Sequence, residues 1–189
     1  MNEKRFIIPE PYAGSGDIRI LKTRRSIEQT FLAMRERLSL EKIRVEALCR
    51  EALVNKSTFY RYYTDVFDLS DKIENAIIDA VYDSLETTGA FPEDPLILFN
   101  ELNEKWRAYQ EAAAVLFSGR SSILTKKTQR KLRSLLETDN LDFDSYVRLI
   151  VAVDGTSNAM VQLQDDPRFD AENVTAILAD IIKKIYSEN

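Results

Sequence analysis

Six aliphatic residues near the C-terminus, Val174, Ile177, Leu178, Ile181, Ile182 and Ile185, recur at intervals of three and four. A helix of 3.6 residues per turn gathers them on one face, whereas a strand would scatter them to both sides. The same spacing returns along most of the chain. Ile27, Phe31, Met34 and Leu38 mark a helix within 20–38, and Val45, Leu48, Cys49 and Ala52 a short one within 44–52. Phe67, Leu69, Ile73, Ala76, Ile77, Ala80, Val81 and Leu85 stripe a longer helix over 65–86, opened by Asp65. Leu96, Phe99, Leu102, Trp106, Tyr109, Ala113 and Leu116 predict one element that ends at Gly119. A weaker helix over 123–137 carries KKTQRKLR, whose five cations read first as a solvated face. Helices over 143–164 and 171–187 follow, the last with Asp170 as its N-cap. No segment alternates with a strand's period, so the expected fold class is all-α.

The residue types that are missing narrow the chemistry. Histidine is absent, and Cys49 is the one cysteine of 189 residues. Nucleophile–imidazole systems, HExxH metal sites and cysteine-rich zinc sites are excluded. Cys49, on the apolar side of its helix, reads as a small buried hydrophobe. The five glycines, at 14, 16, 89, 119 and 155, are too scattered for a phosphate loop. Asp165-Asp166 beside Pro167 reads as loop and cap. The expectation is a protein that is not an enzyme and holds no metal or cofactor. No stretch approaches the ~20 apolar residues of a membrane span, and residues 1–16 hold too short an apolar core for a signal peptide, so a cytoplasmic protein is expected.

Charge is unevenly placed. Residues 1–70 carry 13 Lys and Arg against 10 Asp and Glu, while residues 71–189 carry 13 against 21. A basic front and an acidic rear point a polyanionic partner to the front. Three parts are expected: a flexible arm at 1–19, whose Lys4, Arg5 and Arg19 can reach such a partner; a domain at 20–70; and a helical domain at 71–189, entered through a break at Thr87-Thr88-Gly89, Pro92 and Pro95. Lys22, Arg24 and Arg25 sit at the start of a helix, where cations oppose the dipole, and suggest pairing with phosphate.

The densest chemistry lies at 55–63, NKSTFYRYY. Asn55 is a good N-cap for a second short helix, and two short helices joined by about three residues make a helix-turn-helix. A helix entering the major groove by its N-terminus presents Asn55, Lys56, Ser57 and Thr58 to bases and phosphates. Tyr60, Arg61 and Tyr63 add hydroxyls and a guanidinium for phosphate oxygens. Phe59 reads as core, and Tyr63 in part.

These residues carry a resemblance. The stretch from about Arg24 to Leu69 resembles the DNA-binding domain of the TetR family of transcriptional regulators, with RVEALCREA as the second helix and VNKSTFYRYY as turn and recognition helix. Leu53 stands where the family has a turn glycine, Arg44 where a threonine commonly opens the second helix, and Val66 where a lysine often opens the fourth. Arg44 thereby joins the expected DNA contacts. The resemblance implies a helix-turn-helix DNA-binding domain followed by a helical ligand-binding and dimerisation domain. It further implies a homodimer through 143–164 and 171–187, bound to double-stranded DNA at a palindromic operator. A small-molecule effector is implied too, with Phe99, Trp106, Tyr109, Phe117 and Tyr146 near its pocket and Asp154, Arg107 or Asn158 as polar anchor. The expected function is a repressor released by such an effector. The alternative is a helical co-activator of the same build that works through a protein partner.

Overall fold

The computed structural model describes residues 5–9, 18–88, 95–135, 141–163, 166–168 and 170–187. Among these residues every regular element is helical: α1 (Ile18–Arg35), α2 (Val45–Glu51), α3 (Lys56–Tyr60), α4 (Val66–Tyr82), α5 (Pro95–Arg107), α6 (Gln110–Phe117), α7 (Ser121–Leu135), α8 (Phe143–Leu163) and α9 (Ala171–Ser187), with a 3-10 turn at Leu40–Lys42. The protein is all-α. No helix among them is long and apolar enough to cross a membrane. Lys4, Gly89, Pro92 and Asp165, named above, lie outside the described residues.

The chain forms two compact units, Met1–Ile77 with Tyr109–Leu116, and Ile78–Ala108 with Phe117–Asn189. The first unit therefore extends past residue 70 and takes in most of α6. Its core residues include Ile27, Phe31, Leu32 and Met34 of α1 with Leu48, Phe59, Leu69, Ile73 and Ile77, all buried, and α1 packs on α2. Local chemistry sets the ends of its helices. Asp65 Oδ1 accepts from the Asp68 amide at 2.8 Å, and Asp68 Oδ2 from the Thr64 amide at 2.9 Å, a reciprocal cap that starts α4. Arg35, buried at the end of α1, donates to the Leu38 and Val115 carbonyls at 2.7 and 3.1 Å.

Residues 5–9 are not a free arm. Phe6 and Ile8 are buried while Ile7 between them is 65% exposed. The Gln29 side chain grips the backbone of Phe6 from both sides, accepting from its amide and donating to its carbonyl, each at 2.8 Å. Arg25 donates to the Ile8 carbonyl at 3.0 Å. The extended segment keeps its main-chain groups bonded through side chains of α1.

In the second unit α9 packs on both α5 and α8, and α8 packs on α7. Phe99, Ala152, Leu178 and Ile182 form a core cluster, with Leu96, Val174 and Tyr186 against it. Lys131 on α7 pairs with Asp79 and Asp83, both at 2.8 Å. The single helix expected over 96–118 is two, interrupted between Arg107 and Gln110. Its first part buries Leu98 and Phe99 in the second unit, and its later part buries Ala112 and Leu116 in the first. One straight stripe cannot serve two cores.

Glu101 receives the chain as it leaves α4, accepting from the Glu86 and Thr87 amides at 2.9 and 3.0 Å. Burial alone would raise its pKa, but the Thr87 hydroxyl and these amides outweigh it and hold the carboxyl below its ordinary 4.5. A depressed carboxylate adds stability above its unfolded pKa and loses it as pH falls through the lower folded value. Urea unfolding should therefore show stability declining below about pH 4.5, with part of that slope removed in Glu101→Gln. In the first unit, Gln29→Ala should lower unfolding free energy by about 1–3 kcal/mol, for two lost hydrogen bonds, and abolish hydrogen-exchange protection of the Phe6 amide.

Candidate nucleic-acid interface

The turn between α2 and α3 closes as a Schellman motif. The Val54 amide donates to the Cys49 carbonyl at 3.0 Å and the Leu53 amide to the Arg50 carbonyl at 3.4 Å. That motif puts its C′ residue in the left-handed region, and the residue there is Leu53, with φ 57°. The turn forms without glycine, in the conformation for which glycine is suited. A left-handed residue with a Cβ is strained by about 1–2 kcal/mol. Leu53 gains nothing back from packing, for its side chain is 92% exposed. Ser26 on α1 donates to the Ala52 carbonyl at 3.0 Å and ties this corner down.

Asn55 occupies the N-cap position of α3, with its carbonyl accepting from the Thr58 and Phe59 amides. Its side chain makes no capping bond. Asn55, Lys56, Ser57, Tyr60 and Arg61 are exposed and Thr58 is half-buried. Tyr60 is 55% exposed and stands edge-on to Phe59, which is fully buried. The short helix thus shows an apolar anchor on one side and polar donors on the other. Lys56 pairs with Glu46 of α2 at 3.2 Å, both ends well exposed. Arg44, the N-cap residue of α2, is exposed and bonds no amide with its side chain. Residues 42–61 carry five cations against two anions, in a chain whose net charge is −5.

Tyr63 departs from this set. It is buried, and its hydroxyl donates to Glu28 Oε1 of α1 at 2.9 Å. Burial pushes its pKa well above the ordinary value, the Glu28 carboxylate adds to the rise, and Arg24 opposes it. It is a fold residue, not a phosphate contact. Arg24 and Arg25 are likewise committed: Arg24 lies over the Tyr62 and Tyr63 rings at 5.9 and 6.0 Å, and Arg25 holds Ile8. Val66 is buried at the start of α4. Lys72, six residues further along, donates to the Tyr62 carbonyl and to Asp68, each at 2.9 Å. Glu28 is a residue the sequence reading missed. Its signal was spacing, since it lies four before Leu32 on the buried face of α1.

Cys49 is buried, and burial raises its thiol pKa with Lys56 opposing, as a packing residue requires. Among the described residues no group of His, Cys, Asp or Glu is arranged to hold a metal ion. No family model matches the chain, and no curated protein matches it at a significant level.

The expected effector residues occupy separate contacts. Phe99 belongs to the α5–α8–α9 core, and Phe117 is buried. Trp106 stands edge-on to Tyr82 at 6.4 Å, and burial pushes Tyr82 up to about 12, with Trp106 and Thr128 beside its hydroxyl opposing. Tyr146 lies under Arg133 of α7 at 5.2 Å. Tyr109 falls in the first unit and the other four in the second. Of the polar anchors, Arg107 and Asn158 are exposed. Asp154 differs: its Oδ1 is shielded from solvent with no hydrogen-bond partner among the described residues.

Two substitutions separate fold from interface. Leu53→Gly should raise unfolding free energy by about 0.5–1 kcal/mol, the relieved strain less the greater freedom of glycine in the unfolded chain, as read by chemical denaturation. Tyr63→Phe takes one donor from a buried carboxylate and should lower it by about 1–3 kcal/mol.

Proposed function

We propose that the chain is a sequence-specific DNA-binding transcriptional regulator that acts as a homodimer. The observation that carries this reading is the two-sidedness of α3. Phe59 and Tyr63 anchor it, and Asn55, Lys56, Ser57, Tyr60 and Arg61 are left facing solvent with Arg44 near the start of α2. A cluster of amide, hydroxyl and cationic donors on a short helix fits base edges and phosphates of a duplex. The local net charge is positive where the rest of the chain is acidic. The resemblance of 24–69 to the TetR family supports the same assignment.

The second unit offers the material for a two-fold pairing. Val147, Val151 and Leu163 on α8 and Ile177 and Ile181 on α9 are exposed, by 37–52%. Val147 and Val151 are four apart, as are Ile177 and Ile181, so each pair sits on one face of its helix. A second copy laid on these residues would bury them, and the resemblance implies a dimer whose two recognition helices meet one palindrome. Release by a small-molecule effector belongs to the same reading, with Asp154 as a polar group of the second unit that has a buried oxygen to satisfy.

Selection of duplexes from a random pool at two salt concentrations tests the proposal. A palindrome that binds more weakly at the higher salt is expected. Arg61→Ala should weaken binding and flatten the logarithmic salt slope by about one unit for each phosphate that the variant no longer neutralises. Failure to enrich any duplex at either salt overturns it in favour of action through a protein partner. Dimerisation is tested separately. Val151→Asp with Ile181→Asp should sediment as a folded monomer and lose operator affinity.

A further inference from the structure

Leu53 satisfies no requirement of the fold. Its backbone is in the left-handed region at φ 57°, which disfavours any residue with a Cβ. Its side chain is 92% exposed, the most solvent-exposed of the large apolar residues among those described. Strain and exposure of an apolar side chain are both unfavourable, and glycine would remove both. Strain of this kind gathers where a protein meets a ligand. The position is also specific. Leu53 is two residues before the Asn55 N-cap, next to the exposed donors of α3. Chain geometry keeps its Cα within about 11 Å of that of Lys56. Those neighbours are hydrogen-bond donors and cations, the complement of a polyanion rather than of an apolar protein surface.

We infer that Leu53 is a specificity residue that packs against the C5 methyl of a thymine beside the bases met by α3. The inference rests on the DNA-binding reading above. The thymine methyl is the apolar group on the major-groove edge of the base pairs, and an aliphatic side chain recognises it by contact alone. The strained turn holds Leu53 outward, where it can meet that group.

The test is a cycle between protein and DNA. In the palindrome selected by the full-length protein, each thymine is replaced in turn by deoxyuridine, which removes only the methyl. Affinities are measured for the native chain, Leu53→Gly and Leu53→Ala. The native chain should weaken about fourfold for each methyl removed at one symmetry-related pair of positions, the worth of one buried methyl group, and both variants should be indifferent there. Leu53→Gly, which relieves the strain, keeps the result free of any folding defect. Equal weakening in all three proteins, or indifference of the native chain at every thymine, overturns the inference while leaving DNA binding in place. No enriched duplex for the native chain overturns the reading on which it rests, and the inference with it.

Discussion

A helix of five residues has no stability of its own, and everything proposed for α3 depends on what pins it. Two aromatic side chains do so. Phe59 is fully buried, and Tyr63, just past the helix, is buried with its ring 5.5 Å from that of Phe59. The Tyr63 hydroxyl would be costly to bury without a partner, and so would the Glu28 carboxylate. Each meets the other at 2.9 Å. Arg24 stacks over Tyr63 and Lys72 lies 5.4 Å from the same ring, so two cations lie against the ring whose hydroxyl meets the buried acid. This polar knot joins α1 to the end of the α3 segment and fixes which side of α3 looks outward.

The knot divides the cations of the first unit into two groups. Arg24, Arg25, Arg35 and Lys72 act within the fold, on rings, carbonyls and carboxylates. Arg44, Lys56 and Arg61 are exposed, and of these Lys56 has a weakly held surface partner in Glu46. An exposed ion pair is worth roughly 0–1 kcal/mol, which a phosphate can replace at little loss. The first group sets shape and the second remains available for an anion. A count of basic residues along the sequence cannot tell the groups apart, because both are simply Lys and Arg at helical positions.

Helical spacing was enough to locate the helices, since a 3.6-residue stripe is repeated many times in a helix such as α9. It misled where the stripe is continuous but the burial partner changes. Leu102, Trp106, Tyr109 and Ala113 keep their spacing across the break between α5 and α6, with no glycine or proline to mark it. Phe6 and Ile8 alternate with Ile7 like a strand, yet three residues are too few to register against the background, and Gln29, which bonds Phe6, lies 23 residues from it. In the candidate interface the exposed donors of 55–61 were legible from composition and an N-cap. The role of Tyr63 was legible in part, as a core residue, but three tyrosines within four residues look alike as phosphate contacts until Glu28 is brought across from α1. Leu53 was legible as a departure from a glycine-bearing turn, while its exposure required the fold.

The same distinction between spacing and partner bears on α9. Leu178 and Ile182 point into the core, and Ile177 and Ile181, one residue earlier in each turn, are 52% and 45% exposed. A helix serving a single core needs an apolar arc of about 100°, and adjacent positions lie about 100° apart around the axis. α9 is therefore apolar across more of its circumference than its own unit uses. α8 repeats the pattern, with Ala152 inside and Val151 52% exposed. The exposed aliphatic residues of both helices sit in water at a cost of roughly 25 cal/mol per Å² of apolar surface. That surplus is what supports the proposed pairing of two copies, since a two-fold contact would cover the same apolar residues on both chains.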